Sequence, residues 1–161
     1  MDSARIGILG ASAGGHLAAT AGTLYNHTFI DPQGNSLRPD FIVLMYPVIS
    51  FDTFAHSASA KNLLGNDTSK ATMLLFSPEK QVTADTPPTF LVHAGDDAVV
   101  SPQNSIFFYQ ALLGKQVPAE LHIYQKGGHG FGLNNKTTDD DWFLRLMSWM
   151  KVTGIIKSSG H

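Results

Sequence analysis

The sequence predicts an α/β fold, a parallel sheet flanked by helices, and two observations predict it. Apolar runs of strand length alternate four times along the chain with segments of helical period, the pattern that right-handed crossovers turn into a parallel sheet. Two of those runs, Phe41-Ile42-Val43-Leu44-Met45-Tyr46 and Thr89-Phe90-Leu91-Val92-His93-Ala94, are almost continuously apolar, as strands covered on both faces are.

The elements follow in order. Arg5 to Leu9 is a short apolar run closed by Gly10, and small residues then lead into a helical period over residues 17–24. A polar stretch rich in turn formers, Asn26 to Asp40, precedes the second strand at 41–46. Residues 50–88 are an irregular excursion between strands, with short helical candidates at 58–64 and 69–75, ending at Pro87-Pro88 before the strand 89–94. Pro102 opens a helix that runs to Leu113, with the Ser101 hydroxyl as its expected cap and Gly114 closing it. Glu120 to Tyr124 is the last strand. After a glycine-rich loop, Asp139-Asp140-Asp141 place negative charge at the start of a final helix, Trp142 to about Val152, where the helix dipole favours it.

At 161 residues and 43% hydrophobic content, the chain suits one packed core, and residues 1–161 are expected to form a single domain or part of one. A net charge of −2, with 15% charged residues, lacks the basic stripe that a phosphate backbone demands, so nucleic acid is not an expected partner. With no cysteine, disulfides, thiolate nucleophiles and thiolate metal sites are excluded. No apolar run approaches the roughly 20 residues of a membrane span, and Met1 to Arg5 lack the apolar core of a secretory signal. Sequons at Asn26, Asn66 and Asn135 matter only on a eukaryotic secretory route.

Gly10-Ala11-Ser12-Ala13-Gly14 fits GxSxG and lies between a predicted strand and a predicted helix, where a sharp turn exposes the serine hydroxyl. Side chains two positions to either side would collide there, so Gly10 and Gly14 are both expected to need glycine. The N–H of Ala13 then points at an oxyanion forming on Ser12. Taken alone, the motif also fits a glycine-rich turn that packs a helix on a strand. A serine hydroxyl needs a base, and Gly127-Gly128-His129-Gly130-Phe131 offers one on the loop after the last strand. The third member is a carboxylate after an intermediate strand, and His93-Ala94-Gly95-Asp96-Asp97 supplies two. The remaining histidines, His27, His56, His122 and His161, read as surface or satisfied core residues, and Gly15, His16 and His93 as architectural. A metal site from His93, Asp97 and His129 would leave GxSxG unexplained, and no cofactor is expected. Gly7 to Gly15 lack both the GxGxxG spacing and the lysine of a nucleotide loop.

The stretches Gly10 to His16, His93 to Val100 and Gly127 to Gly132 together resemble the α/β-hydrolase superfamily, in its esterase/lipase branch. Within it they are similar to bacterial esterases found with xylan-degrading enzymes and to dienelactone hydrolase-like proteins. The resemblance implies a serine esterase in which Ser12 is the nucleophile, Asp97 the orienting acid and His129 the general base. The family pattern HGxxDxxVP selects Asp97 over Asp96, although Ser101 stands at its proline position and Pro102 follows. It also implies a substrate among acetyl or aryl esters of plant polysaccharide.

Family members place several strands and a glycine-rich oxyanion loop before the nucleophile, which here is residue 12. By that likeness the chain is the C-terminal part of an α/β-hydrolase fold, a truncated product or fragment with Ala13 as its remaining oxyanion donor. Its first strand would lie at an uncovered edge, where pairing into a homodimer or aggregation is expected. Two other readings stay open: a non-catalytic remnant, and a serine peptidase of the prolyl oligopeptidase kind.

Overall fold

The computed structural model describes residues 5–27, 29, 31–52 and 56–157. Four strands, β1 (Gly7–Ala11), β2 (Phe41–Met45), β3 (Thr89–Ala94) and β4 (Ala119–Tyr124), pair in parallel in that spatial order. Register runs Gly10 against Leu44, Leu44 against Leu91 and Leu91 against Leu121, so the carboxyl ends of all four strands emerge on one side of the sheet.

Helices α1 (Ala13–Thr23), α2 (Ser57–Leu64), α3 (Lys70–Leu75), α4 (Pro78–Gln81), α5 (Gln103–Gly114) and α6 (Trp142–Val152) complete the described elements. The two-residue period of a strand sorts the core into two layers. On one face Ile42, Leu44 and Leu91 pack with Ala18 and Ala19 of α1 and with Phe108 and Leu112 of α5. On the other, Val43, Met45, Phe90 and Val92 pack with Trp142, Leu146 and Trp149 of α6. Strands β2 and β3, covered on both faces, are the two continuous apolar runs of the sequence. β1 lies at an edge, with Leu9 56% exposed and Ile6, just before the strand, 53%.

Four boundaries differ from expectation. β1 runs Gly7–Ala11 rather than Arg5 to Leu9, because Gly10 and Ala11 still pair with Leu44 and Met45 before the turn at Ser12. α1 starts at Ala13 rather than Leu17, because Ser12 alone makes the turn and the small residues after it allow the helix to press against its neighbours. Segment 50–88 holds a third helix, α4, opened by Ser77-Pro78, a proline in the first turn where its missing N–H costs nothing. Helix α5 starts at Gln103, with Pro102 already at helical angles. Ser101 still serves that turn, its hydroxyl accepting from Gln103 N at 3.3 Å and its carbonyl from Asn104 N at 3.0 Å. A separate small core, Val48, Phe51 and Val100 with Leu64, Met73 and Phe76, seats the excursion. No helix among the described residues is long and apolar enough to cross a membrane.

Candidate active site

The site begins at the carboxyl end of β1. Ser12 has φ 54° and ψ −121°, a conformation that costs a non-glycine residue about 1–3 kcal/mol and persists only where the surroundings hold it. Here they do: Ser12 N–H donates to the Met45 carbonyl at 3.0 Å, and the Ser12 carbonyl accepts from Gly15 N at 3.0 Å and Val48 N at 3.1 Å. Glycine is required at Gly10, where a Cβ would stand 2.1 Å from the Gly14 carbonyl oxygen. The same expectation for Gly14 is corrected, since a Cβ there meets nothing within 4 Å. Gly14 brings its carbonyl, not its α-carbon, to Gly10, and it is Gly15 that is crowded, its Cβ falling 2.6 Å from Pro47 Cβ. Ala13 is the first residue of α1, where a backbone N–H has no partner within the helix.

The loops after β3 and β4 bring two more side chains to Ser12. Ser12 Oγ lies 2.8 Å from His129 Nε2, and His129 Nδ1 lies 2.7 Å from Asp97 Oδ2. An ionised carboxylate only accepts, so His129 carries its proton on Nδ1 and leaves Nε2 free to accept the Ser12 hydroxyl proton. Burial alone would push the Asp97 carboxyl up, but hydrogen bonds from His129, Val100 N–H and Val99 N–H outweigh it and hold the group below the usual carboxylate range. Both N–H groups reach Oδ1 at 2.9 Å. Asp96 does different work: its Oδ1 accepts from Gly128 N at 2.8 Å, tying the histidine loop to the end of β3. Gly128 and Gly130, at φ 62° and 80°, turn the backbone on either side of His129.

In the sequence Tyr46 is only the last residue of an apolar run, yet it bears directly on the site. It follows β2 at φ 36°, its ring meets His129 edge-on at 5.1 Å and Phe131 at 4.9 Å, and its hydroxyl accepts from Gly132 N at 3.3 Å. An aromatic residue at the carboxyl end of a buried strand was the available signal. Asn104 was also missed; its Oδ1 accepts from Ile49 N and Ser50 N, each at 2.9 Å, and fixes the chain leaving β2.

The histidines read as structural have defined partners. His16, stacked on Phe51 at 4.4 Å, donates from Nε2 to the Phe76 carbonyl at 2.8 Å, and burial pushes its titration down. His56 caps α2 by accepting from Ser59 N, His122 meets Glu120, and His27 stacks on Phe29. His161 lies outside the described residues. Of the sequon residues, Asn135 is buried and donates to the Lys126 carbonyl at 2.8 Å.

The chain is similar to known proteins in both sequence and fold. The chain is 35% identical over 152 residues to an acetylxylan esterase of Xylanibacter ruminicola, covering 91% of this chain and 30% of that protein. It is 32% identical over 148 residues to endo-1,4-beta-xylanase B of Butyrivibrio fibrisolvens, covering 88% of this chain and 23% of that one. The crystal structure of an acetyl ester-xyloside bifunctional hydrolase from Caldicellulosiruptor lactoaceticus superposes with a TM-score of 0.89 at 42% identity, covering 97% of this chain and 59% of that one. The chain thus spans less than a third of each curated relative. The profile of the family described as BD-FAE matches residues 1–112, from before the Ser12 turn into the last turn of α5, and the chain belongs to that family of α/β-hydrolase esterases.

Proposed function

We propose that this chain carries out carboxylic ester hydrolysis through an acyl-serine, with Ser12 as nucleophile, His129 as general base and Asp97 as the acid that orients it. The observation that carries the reading is the unbroken series Ser12 Oγ, His129 Nε2, His129 Nδ1 and Asp97 Oδ2, with contacts of 2.8 and 2.7 Å. As Ser12 Oγ bonds to the ester carbonyl carbon, its proton passes to His129 Nε2, and Asp97 stabilises the imidazolium. The carbonyl oxygen takes up the negative charge against the Ala13 N–H. Collapse breaks the bond to the alcohol oxygen, which leaves with the proton from His129. A water molecule then gives a proton to His129 as it attacks the acyl carbon, and the bond to Ser12 Oγ breaks as that oxygen takes the proton back from His129 and the acid departs.

Acetyl or aryl esters of plant polysaccharide are the proposed substrates, supported by relatives named for acetylxylan and for acetyl ester-xyloside hydrolysis. The exposed edge of β1 supports a second element of the reading, a homodimer paired through that edge. Intact-mass analysis after treatment with a fluorophosphonate tests the chemistry. One adduct on the chain, absent from Ser12→Ala, is expected, followed by acetate release from acetylated xylan. A chain that stays unlabelled, or a Ser12→Ala variant labelled like the parent, would overturn the serine mechanism.

A further inference from the structure

Asp97 Oδ2 serves two histidines. Besides His129 Nδ1 at 2.7 Å, it lies 3.2 Å from Nε2 of His93, which also lies 3.0 Å from the Val100 carbonyl. Both neighbours of that nitrogen are acceptors only, so Nε2 carries the proton. Nδ1 must then accept, and the Ser105 hydroxyl on α5 lies 2.8 Å from it. His93 and Ser105 are fully buried, and burial lowers the titration of the His93 imidazole from its ordinary range. An apolar side chain would fill the end of β3 without these bonds, so the space alone does not call for an imidazole.

We propose that His93 is a positioning residue for the reaction: with its tautomer set by Ser105, it donates to Asp97 Oδ2 and fixes the oxygen on which His129 is oriented. The inference rests on the serine-hydrolase reading above and extends its series to Ser105, His93, Asp97, His129 and Ser12. Asp97 then has every strong acceptor direction used, two by backbone N–H groups on Oδ1 and two by imidazoles on Oδ2. Its carboxylate can neither rotate nor take up the proton of His129. Removing the His93 donor frees Oδ2 to shift and leaves its charge less shared, which favours the protonated, unreactive form of the base.

The test is the rate of Ser12 labelling by a fluorophosphonate across pH, with proton–nitrogen spectra of the histidine side chains. His93→Leu is expected to slow labelling per folded chain by about 10- to 100-fold, the span of a lost hydrogen bond to a charged group. The acid limb of its profile should move up by about half a pH unit as the carboxylate charge acts more fully on the base. His93→Gln, which can still place an amide N–H on Asp97, is expected to restore both. The low-field proton between His129 and Asp97 should be lost in the leucine variant and return in the glutamine one. Labelling within twofold of the parent, with an unmoved limb, would overturn the proposal and leave His93 a packing residue. If the leucine variant does not fold, Ser105→Ala carries the test, with mixed His93 tautomers and about three- to tenfold slower labelling expected. Failure of the serine reading looks different: Ser12 stays unlabelled in the parent while the low-field proton still reports whether His93 holds Asp97.

Discussion

Ser12 holds a strained conformation because the residues around it close on it from three sides, and the two motif glycines share this task unequally. At Gly10 a methyl group would meet the Gly14 carbonyl oxygen at 2.1 Å and Ala18 Cβ at 2.9 Å, so β1 and α1 would have to separate. Gly10→Ala is expected to destabilise the chain by about 1–3 kcal/mol, the usual cost of overfilling a packed contact. At Gly14 the same methyl meets open space on a helix, and Gly14→Ala is expected to stabilise by about 0.5 kcal/mol through the lower backbone entropy of alanine. Urea midpoints of the two variants test this, and an equal loss in both would show that the turn needs glycine on each side. The motif pattern marks both positions alike. Only the three-dimensional path, in which Gly14 offers its carbonyl and Gly15 meets Pro47, distinguishes them.

Between elements, strand periodicity was legible because β2 and β3 are buried on both faces and carry little but apolar residues. The positions of Ser12, Asp97 and His129 after three of the four strands were legible for the same reason, since the carboxyl ends of parallel strands converge. Tyr46 and Asn104 were not, because their roles come from contacts 54 to 86 residues away in the chain, which no local pattern encodes. The clasp between α1 and the excursion was equally hidden. His16 joins them through Phe51 and the Phe76 carbonyl, and burial sets its titration below the ordinary 6.5. The unfolded chain therefore binds more protons than the folded one between the lowered value and 6.5, and stability falls as pH drops through that window. His93, lowered by the same cause, adds to the slope. The Asp97 carboxyl, held below 3.8, contributes stability that is complete above 3.8 and lost only as pH falls below it. Unfolding free energy measured from pH 7.5 to 5 should decline, and less steeply in His16→Gln, which keeps a donor for Phe76 and does not titrate. Equal slopes would place the acid sensitivity elsewhere.

For the whole molecule, the sheet order leaves β1 at one edge and β4 at the other. β1 pairs with β2 along one side, and its other side meets no strand among the described residues. Leu9 within β1 and Ile6 just before it expose apolar surface along that border. An edge five residues long, with no lysine, proline or bulge to blunt it, is a template for another strand. A second β1 across a two-fold axis would satisfy it, since a self-complementary edge closes into a dimer and pairs the β1 edges of both copies at once. Two four-stranded sheets would then become one of eight strands, with Leu9 near the join. Light scattering should give twice the chain mass at micromolar concentration, falling to the single-chain mass on dilution. Leu9→Lys, which places a charge on the edge and leaves the Ser12 turn intact, should hold the chain monomeric without slowing its fluorophosphonate labelling. A compact monomer in the parent at every concentration would refute edge pairing. A dimer that survives Leu9→Lys would place the contact on another face, with α1 and its exposed Leu17 the next surface to substitute.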